Sequence, residues 1–345
     1  MRFSIRQMIK LMTAGFIGLA LLSCSKGDSE PDYQKPMGFS GYTARSASKA
    51  NGSFASGNEL PANQAFGVYA YNTGSSTTFD PETTYPVFMG NVAVTYTGGG
   101  ASDDTKYTYS PMRYWPNSKE SNRLAFFAYY PHNGAGITPA GFADFAFTVQ
   151  ALPANQVDFM LSDVVPNQIY GATNAGTDVV KLSFYHMLTQ VRFMAEADAH
   201  DGVTVKVTSL KVVDVLNSGT LTPNVEAVSS TWAQGTTTAT YDLTLKDVTL
   251  TDEPQAITEA NQTLLMLPQT LSEDAILEVT YTITTTNPAR VITQSQTIAL
   301  SSSEDVKAWG RNQQIVYTLN FGLHPIEFSA KVADWQDDEY IIPVE

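Results

Sequence analysis

Apolar and polar residues alternate with a period of two through much of this 345-residue chain. Val203, Val205 and Val207 are separated by Thr204 and Lys206, and Leu277, Val279, Tyr281 and Ile283 by Glu278, Thr280 and Thr282. Tyr241, Leu243 and Leu245 alternate with Asp242 and Thr244. Ile315, Tyr317, Leu319 and Phe321 run between Gln314, Thr318 and Asn320. Successive strand residues point to opposite faces, so this pattern predicts antiparallel sheets with one face on a core and one in water. No segment carries a sustained helical period. Clusters such as Asn72-Thr73-Gly74-Ser75, Gly98-Gly99-Gly100 and Pro131-His132-Asn133-Gly134 break the chain at short intervals, as between the strands of β-sandwiches.

The chain is longer than one core usually supports, so two domains are expected. Pro153 to Thr177 is rich in turn residues and is followed by a predicted strand, Val179 to Phe193. This puts a boundary near residue 180 and predicts domains over 46–180 and 181–345.

The first residues have a different character. Arg2, Arg6 and Lys10 precede a short apolar run from Leu11 to Leu22. That run falls short of the roughly 20 residues of a membrane-spanning helix and reads as a secretory signal over 1–23. Leu21-Leu22-Ser23-Cys24 is a lipobox, which makes Cys24 the lipidated first residue of the mature chain. Ser25 in place of Asp sorts such a lipoprotein to the outer membrane. Cys24 is also the one cysteine in the chain, so no internal disulfide forms. Residues 25–36, polar and with two prolines, read as a flexible tether.

The formal net charge is −14, and loss of the three basic residues of 1–23 makes it −17. So acidic a protein will not follow a phosphate backbone, which excludes nucleic acid as a partner. The charged fraction is only 16%. No catalytic or phosphate-binding motif occurs, the four histidines His132, His186, His200 and His324 are scattered, and no cofactor or metal is implied. His186 shares a predicted face with Leu182, Phe184 and Leu188, which favours a hydrogen-bonded core histidine over a ligand. The acidic clusters Asp103-Asp104 and Asp337-Asp338-Glu339 lack the spacing of a calcium loop and read as solvated charge. Tyr107, Tyr109, Tyr114, Trp115, Phe126, Phe127, Tyr129 and Tyr130 crowd one stretch. Buried cross-strand aromatics are the favoured reading, and an exposed sugar-stacking platform the other.

Several segments resemble the fimbrillin-like family of Bacteroidetes, the superfamily of major and minor fimbriae (type V pilus) subunits. They are Tyr114-Trp115-Pro116, then Leu124 to Pro131, Val180 to Leu188, Val191-Arg192-Phe193, Trp309-Gly310-Arg311-Asn312 leading into Gln313 to Leu319, and Val332-Ala333-Asp334-Trp335. The resemblance implies an all-β protein of two transthyretin-like β-sandwich domains in tandem. It also implies a structural or adhesive subunit of a surface fimbria, not an enzyme. Such precursors are anchored through a lipidated cysteine, here Cys24, and cut at the surface by an arginine-specific protease. The vacated groove then accepts a strand from another subunit, an exchange rooted in the unpaired backbone and apolar surface of an incomplete sheet.

Arg45 is the one arginine between Arg6 and Arg113 and is followed by Ser46-Ala47-Ser48, a small-residue context open to proteolysis. Cleavage there would remove 24–45, a tether ending in a short removable strand with Met37 and Phe39 on one face. Tyr340, Ile341, Ile342 and Val344 are candidates for a donor strand, although Pro343 limits that tail to an edge. Ile326, Phe328, Ala330 and Val332 alternate as well, as donor or as the last sandwich strand. The expected partners are other fimbrial subunits, the protease, the outer membrane and a host or bacterial surface ligand. Shaft, tip and anchor roles all fit. A second reading of the lipobox and aromatics is an outer-membrane glycan-binding lipoprotein of a polysaccharide-uptake system, which needs those aromatics exposed on one face.

Overall fold

The computed structural model describes residues 35–43, 60, 63–98, 106–116, 121–170, 179–198, 200–322 and 326–335. Ten strands lie before residue 187: β1 (Gly38–Thr43), β2 (Ala65–Gly74), β3 (Val87–Tyr96), β4 (Tyr107–Tyr109), β5 (Arg123–Tyr130), β6 (Ile137–Pro139), β7 (Phe145–Thr148), β8 (Met160–Ser162), β9 (Val165–Gln168) and β10 (Val179–His186). Eight of them form one sheet in the order β1-β10-β8-β5-β2-β3-β4, with β9 beside β5.

Both faces of this sheet are covered, and its sequence shows it. In β5, Leu124, Phe126 and Ala128 enter one apolar cluster with Phe66 and Val68 of β2 and Leu182 and Phe184 of β10. The alternate residues Ala125, Phe127 and Tyr129 enter a second cluster. With seven of its eight residues buried, β5 has no reason to alternate with polar residues, hence the unbroken Leu-Ala-Phe-Phe-Ala-Tyr-Tyr. Tyr129 reaches Phe145 of β7, ring centroids 5.1 Å apart, so the outer face of the sheet packs on the β7 layer.

Thirteen strands follow: β11 (Thr189–Ala197), β12 (Val203–Leu216), β13 (Ser218–Thr222), β14 (Thr231–Gln234), β15 (Thr238–Asp242), β16 (Gln255–Ala256), β17 (Leu264–Met266), β18 (Gln269–Thr270), β19 (Ile276–Thr286), β20 (Ala289–Ala299), β21 (Ala308–Trp309), β22 (Gln313–Phe321) and β23 (Glu327–Asp334). One sheet runs β16-β11-β22-β23, with β17 beside β11, and a second runs β15-β12-β19-β20. Tyr281 of β19 meets Phe321 of β22 edge-on at 4.8 Å, so their inner faces share a core. A third sheet, β14-β13-β7-β6, draws strands from both sides of residue 180, and β18 pairs with β21.

The protein is all-β, as the alternation predicts. Two local expectations are corrected. The strand expected over Val179 to Phe193 is two strands: β10 ends at His186, and Met187 and Leu188 carry the chain into a different sheet, where β11 begins. Leu182 and Phe184 therefore lie in one apolar cluster and Leu188 in the other. The alternation at Tyr241, Leu243 and Leu245 outlasts its strand, since β15 stops at Asp242 and Leu245 forms an isolated bridge to Thr258.

Candidate functional site

β1 is a six-residue strand at one end of the eight-stranded sheet. It pairs in parallel with β10, from Gly38 opposite Val179 to Thr43 opposite Phe184. Parallel pairing is slightly weaker per residue than antiparallel pairing. Met37 and Phe39 are 2% and 1% exposed. The Phe39 ring lies edge-on to Tyr109 at 5.3 Å and to Phe126 at 5.9 Å. Burial of two such side chains contributes about 1.5–3 kcal/mol each. Gly41 is the third residue of this inner row. A Cβ there would lie 3.0 Å from the Phe184 ring, 3.2 Å from Leu60 and 3.3 Å from Phe66, so the groove has room for glycine and little more.

The other side of β1 meets the far end of the same sheet. The Met37 amide donates to the Arg113 carbonyl at 2.9 Å, and the Trp115 amide donates to the Lys35 carbonyl at 3.1 Å, around a Pro36–Tyr114 bridge. Two tyrosines of β4 reach across: Tyr107 Oη donates to the Gly41 carbonyl at 2.8 Å and Tyr109 Oη to the Met37 carbonyl at 2.9 Å. Burial holds the Tyr109 phenol above its ordinary pKa and so keeps it a donor. β1 thus fills the gap between β10 and β4 and seals the apolar cluster beneath. The seal has a flaw, because Ser40 is fully buried and its hydroxyl has no hydrogen-bond partner. An orphaned buried hydroxyl costs about 1–3 kcal/mol.

Of the other residues singled out by sequence, Cys24, Arg45, Ser46, Tyr340, Ile341, Ile342 and Val344 lie outside the described residues, as do His324 and both acidic clusters. Arg45 follows Thr43, the last residue of β1, by two positions. Ile326, Phe328, Ala330 and Val332 belong to the last strand region: β23 pairs antiparallel with β22 along Gln313–Asn320. Just past β23, the Trp335 indole stacks on His186 at the end of β10, rings 4.1 Å apart and nearly parallel. His186 is 2% exposed, and its Nδ1 lies 2.8 and 3.0 Å from the two Asp158 carboxylate oxygens. It is a hydrogen-bonded core histidine that packs on the residue following β23.

The aromatic stretch is buried. Tyr107, Trp115, Phe126, Phe127, Tyr129 and Tyr130 are all in the two cores, whereas Tyr114 is 45% exposed. No exposed aromatic row remains there for sugar stacking. Among the described residues no three His, Cys, Asp or Glu side chains converge on a metal-sized site, and no helix is long and apolar enough to cross a membrane.

The fimbrillin-like family model matches residues 54–335. The chain belongs to the fimbrillin-like family. A relative, fimbrium subunit Fim1C of Phocaeicola vulgatus, is 28% identical over 256 residues, which cover 67% of this chain and 63% of that protein. The chain thus spans less than two thirds of that relative's length. A crystal structure of a fimbrial protein from Bacteroides vulgatus superposes with a TM-score of 0.63 at 18% identity, over 87% of this chain and 99% of the other. At that identity the likeness is one of fold. The family match starts at residue 54, after β1, so β1 is described by this chain's own geometry.

Reading by sequence placed Met37 and Phe39 on one strand face and favoured burial of Tyr107, Tyr109 and Trp115, but it did not bring those aromatics to β1 and it missed Gly41 and Arg113. Gly41 had a signal, a glycine at the third position of an apolar row. The tyrosines had none beyond their type, since their role depends on two sheet ends meeting.

Proposed function

We propose that this protein is a structural subunit of a cell-surface fimbria and that β1 is the strand its assembly replaces. The observation that carries this reading is β1 itself. It is short, its parallel ladder to β10 is one-sided, and it covers an aromatic groove while retaining an unpaired hydroxyl. A strand in that position is held by about six residues of ladder and two large side chains, at roughly 1 kcal/mol per hydrogen bond and 1.5–3 kcal/mol per side chain. Once the backbone is cut beyond Thr43, that hold is no longer covalent, and a longer or more apolar strand from another subunit competes for the same place.

In this reading Cys24 carries the lipid that anchors the precursor to the outer membrane. An arginine-specific surface protease cuts after Arg45, so that Ser46 starts the mature chain. The segment with Met37 and Phe39 leaves, and a strand bearing residues such as Tyr340, Ile341, Ile342 and Val344 from a neighbouring subunit enters. Residues 46–180 and 181–345 act as the two sandwich units. The partners are other fimbrial subunits, with a surface ligand where the subunit is adhesive.

The test treats the lipid-free precursor with an arginine-specific protease and follows N-terminal sequence and size together. Expected are a new N-terminus at Ser46 and a ladder of multimers, both abolished by Arg45→Ala. A product that starts elsewhere, or that starts at Ser46 and stays monomeric at all concentrations, contradicts the proposal.

A further inference from the structure

β20 is the outermost strand of the sheet β15-β12-β19-β20, and among the described residues no strand pairs with its far side. It is 11 residues long, and most of it is exposed, with Val291 and Ile292 at 68% and 42%. Sheet edges of this length are commonly blunted by lysine, proline, inward charge or a bulge. β20 has none of these between Val291 and Ala299, and its pairing with β19 runs without a register shift from Ala289 to Ala299.

Its sequence is also a palindrome. Ile292-Thr293-Gln294-Ser295-Gln296-Thr297-Ile298 reads the same in both directions about Ser295. An antiparallel partner reverses chain direction, so a palindromic strand is self-complementary, which is what an isologous two-fold contact needs. Two copies of β20 centred on Ser295 would pair Ile292 with Ile298, Thr293 with Thr297 and Gln294 with Gln296, each residue type opposite itself. Alternate residues of an antiparallel edge direct their N–H and C=O groups outward. Whichever alternate set that is in β20, it is symmetric about Ser295.

The faces agree with this register. Ile292, Gln294, Gln296 and Ile298 lie opposite Ile283, Tyr281, Val279 and Leu277 of β19, on the core side of the sheet. Pairing across the axis brings Ile292 of one copy beside Ile298 of the other and covers the apolar end that this chain leaves exposed. Charge points the same way. In a chain of net charge −14, β20 holds no acidic residue and one basic residue, Arg290 near its start. Two acidic molecules approach each other at least electrostatic cost along such a neutral edge.

We infer that β20 is a homotypic docking edge, where two copies of this chain join their four-stranded sheets across a two-fold axis at Ser295. One such ladder is a small contact. Displayed many times along a polymer, it would bind through multivalency. The contact itself needs only two folded copies, so it stands or falls apart from the replacement of β1.

The test uses single cysteines in the full chain with Cys24→Ser. Directly opposed Cα atoms in an antiparallel pair are about 4.5–5.5 Å apart, within the range of a disulfide. Ser295→Cys therefore oxidises to a dimer. Thr293→Cys alone does not, because its two copies sit four residues out of step, about 13 Å along the strands. A mixture of Thr293→Cys and Thr297→Cys chains yields the mixed dimer. The expected result is at least tenfold more dimer from Ser295→Cys than from Thr293→Cys, with melting temperatures unchanged. Equal cross-linking at all positions, or none at 295, overturns the inference. So does slow exchange, in a monomer, of those β20 amides that point away from β19, which would mean that another segment of the same chain covers the edge.

Discussion

β1 and β20 each end a sheet, yet they hold their apolar residues in opposite surroundings. Phe39 of β1 and Met37 just before it are almost fully buried at a strand only six residues long, whereas Val291 and Ile292 lie open on a strand of eleven. The longer strand has the Val291-Ile292 pair in its sequence and an unbroken ladder to β19 in the structure. What a strand contributes is set instead by what lies on either side of it. β1 has β10 on one side, the tyrosines of β4 on the other and an aromatic groove below. β20 has β19 on one side and, among the described residues, no strand on the other. A short strand can therefore bury more of the core than a long one, and the proposals above rest on that difference: β1 as the strand that is replaced, β20 as the edge that stays open.

The comparison breaks first at Phe39. Phe39→Ala is expected to cost about 3–5 kcal/mol, because it empties a buried aromatic site. Val291→Ala should stay within about 0.5 kcal/mol, as exposed substitutions do. Urea unfolding of both variants measures the contrast, and similar losses would mean that β1 is no more integral than an open edge. Gly41→Val comes next, at about 1–3 kcal/mol, since the groove presses on that position from Phe184, Leu60 and Phe66.

Tyr109→Phe removes the donor to the Met37 carbonyl, at about 0.5–1.5 kcal/mol. It should speed amide exchange across Gly38–Thr43 and leave β20 unchanged. The same phenol gives a pH signature. Burial raises Tyr109 above its ordinary value and pushes Tyr69, Tyr130 and Tyr185 up to about 12. The unfolded chain ionises near pH 10, earlier than the folded one, so stability is complete below pH ~10 and is lost as pH rises toward ~12. Melting temperatures measured across that window should fall, less steeply for Tyr109→Phe. Within the β1 site the smallest effect is expected at Ser40. Ser40→Ala removes an unpaired buried hydroxyl and should be neutral or stabilising by up to ~1 kcal/mol.

Much of the fold was legible in alternation, and the failures have physical causes. β12 and β19 each turn one face to a core and the other to more open surroundings, so their sequences carry the period of two, whereas β22 alternates although Gln314 and Val316 on its second face are buried too. β5 is buried on both faces, and its run of aromatics says so. The break at Met187-Leu188 was invisible because both residues are apolar and the alternation continues through them into another sheet. The Leu243–Leu245 alternation persisted beyond its strand because those leucines still face the core without a ladder. At the candidate site, the apolar row of β1 was readable from Met37 and Phe39. The groove that receives it was not, since Tyr107, Tyr109 and Phe184 reach it only through pairings tens of residues apart. The palindrome of β20 was plain in the letters, but it acquires meaning only once that strand is known to be an open edge.

The central claim is that β1 is replaceable, and the most direct measurement is the fate of the segment that carries it after cleavage at Arg45. Native mass spectrometry of the cut, lipid-free protein resolves the two species. The account predicts that the segment ending at Arg45 stays bound to the monomer at low concentration and is released in step with multimer formation as concentration rises. Multimers that retain one such segment per subunit would contradict it, because β1 would then still occupy the groove that assembly is proposed to refill.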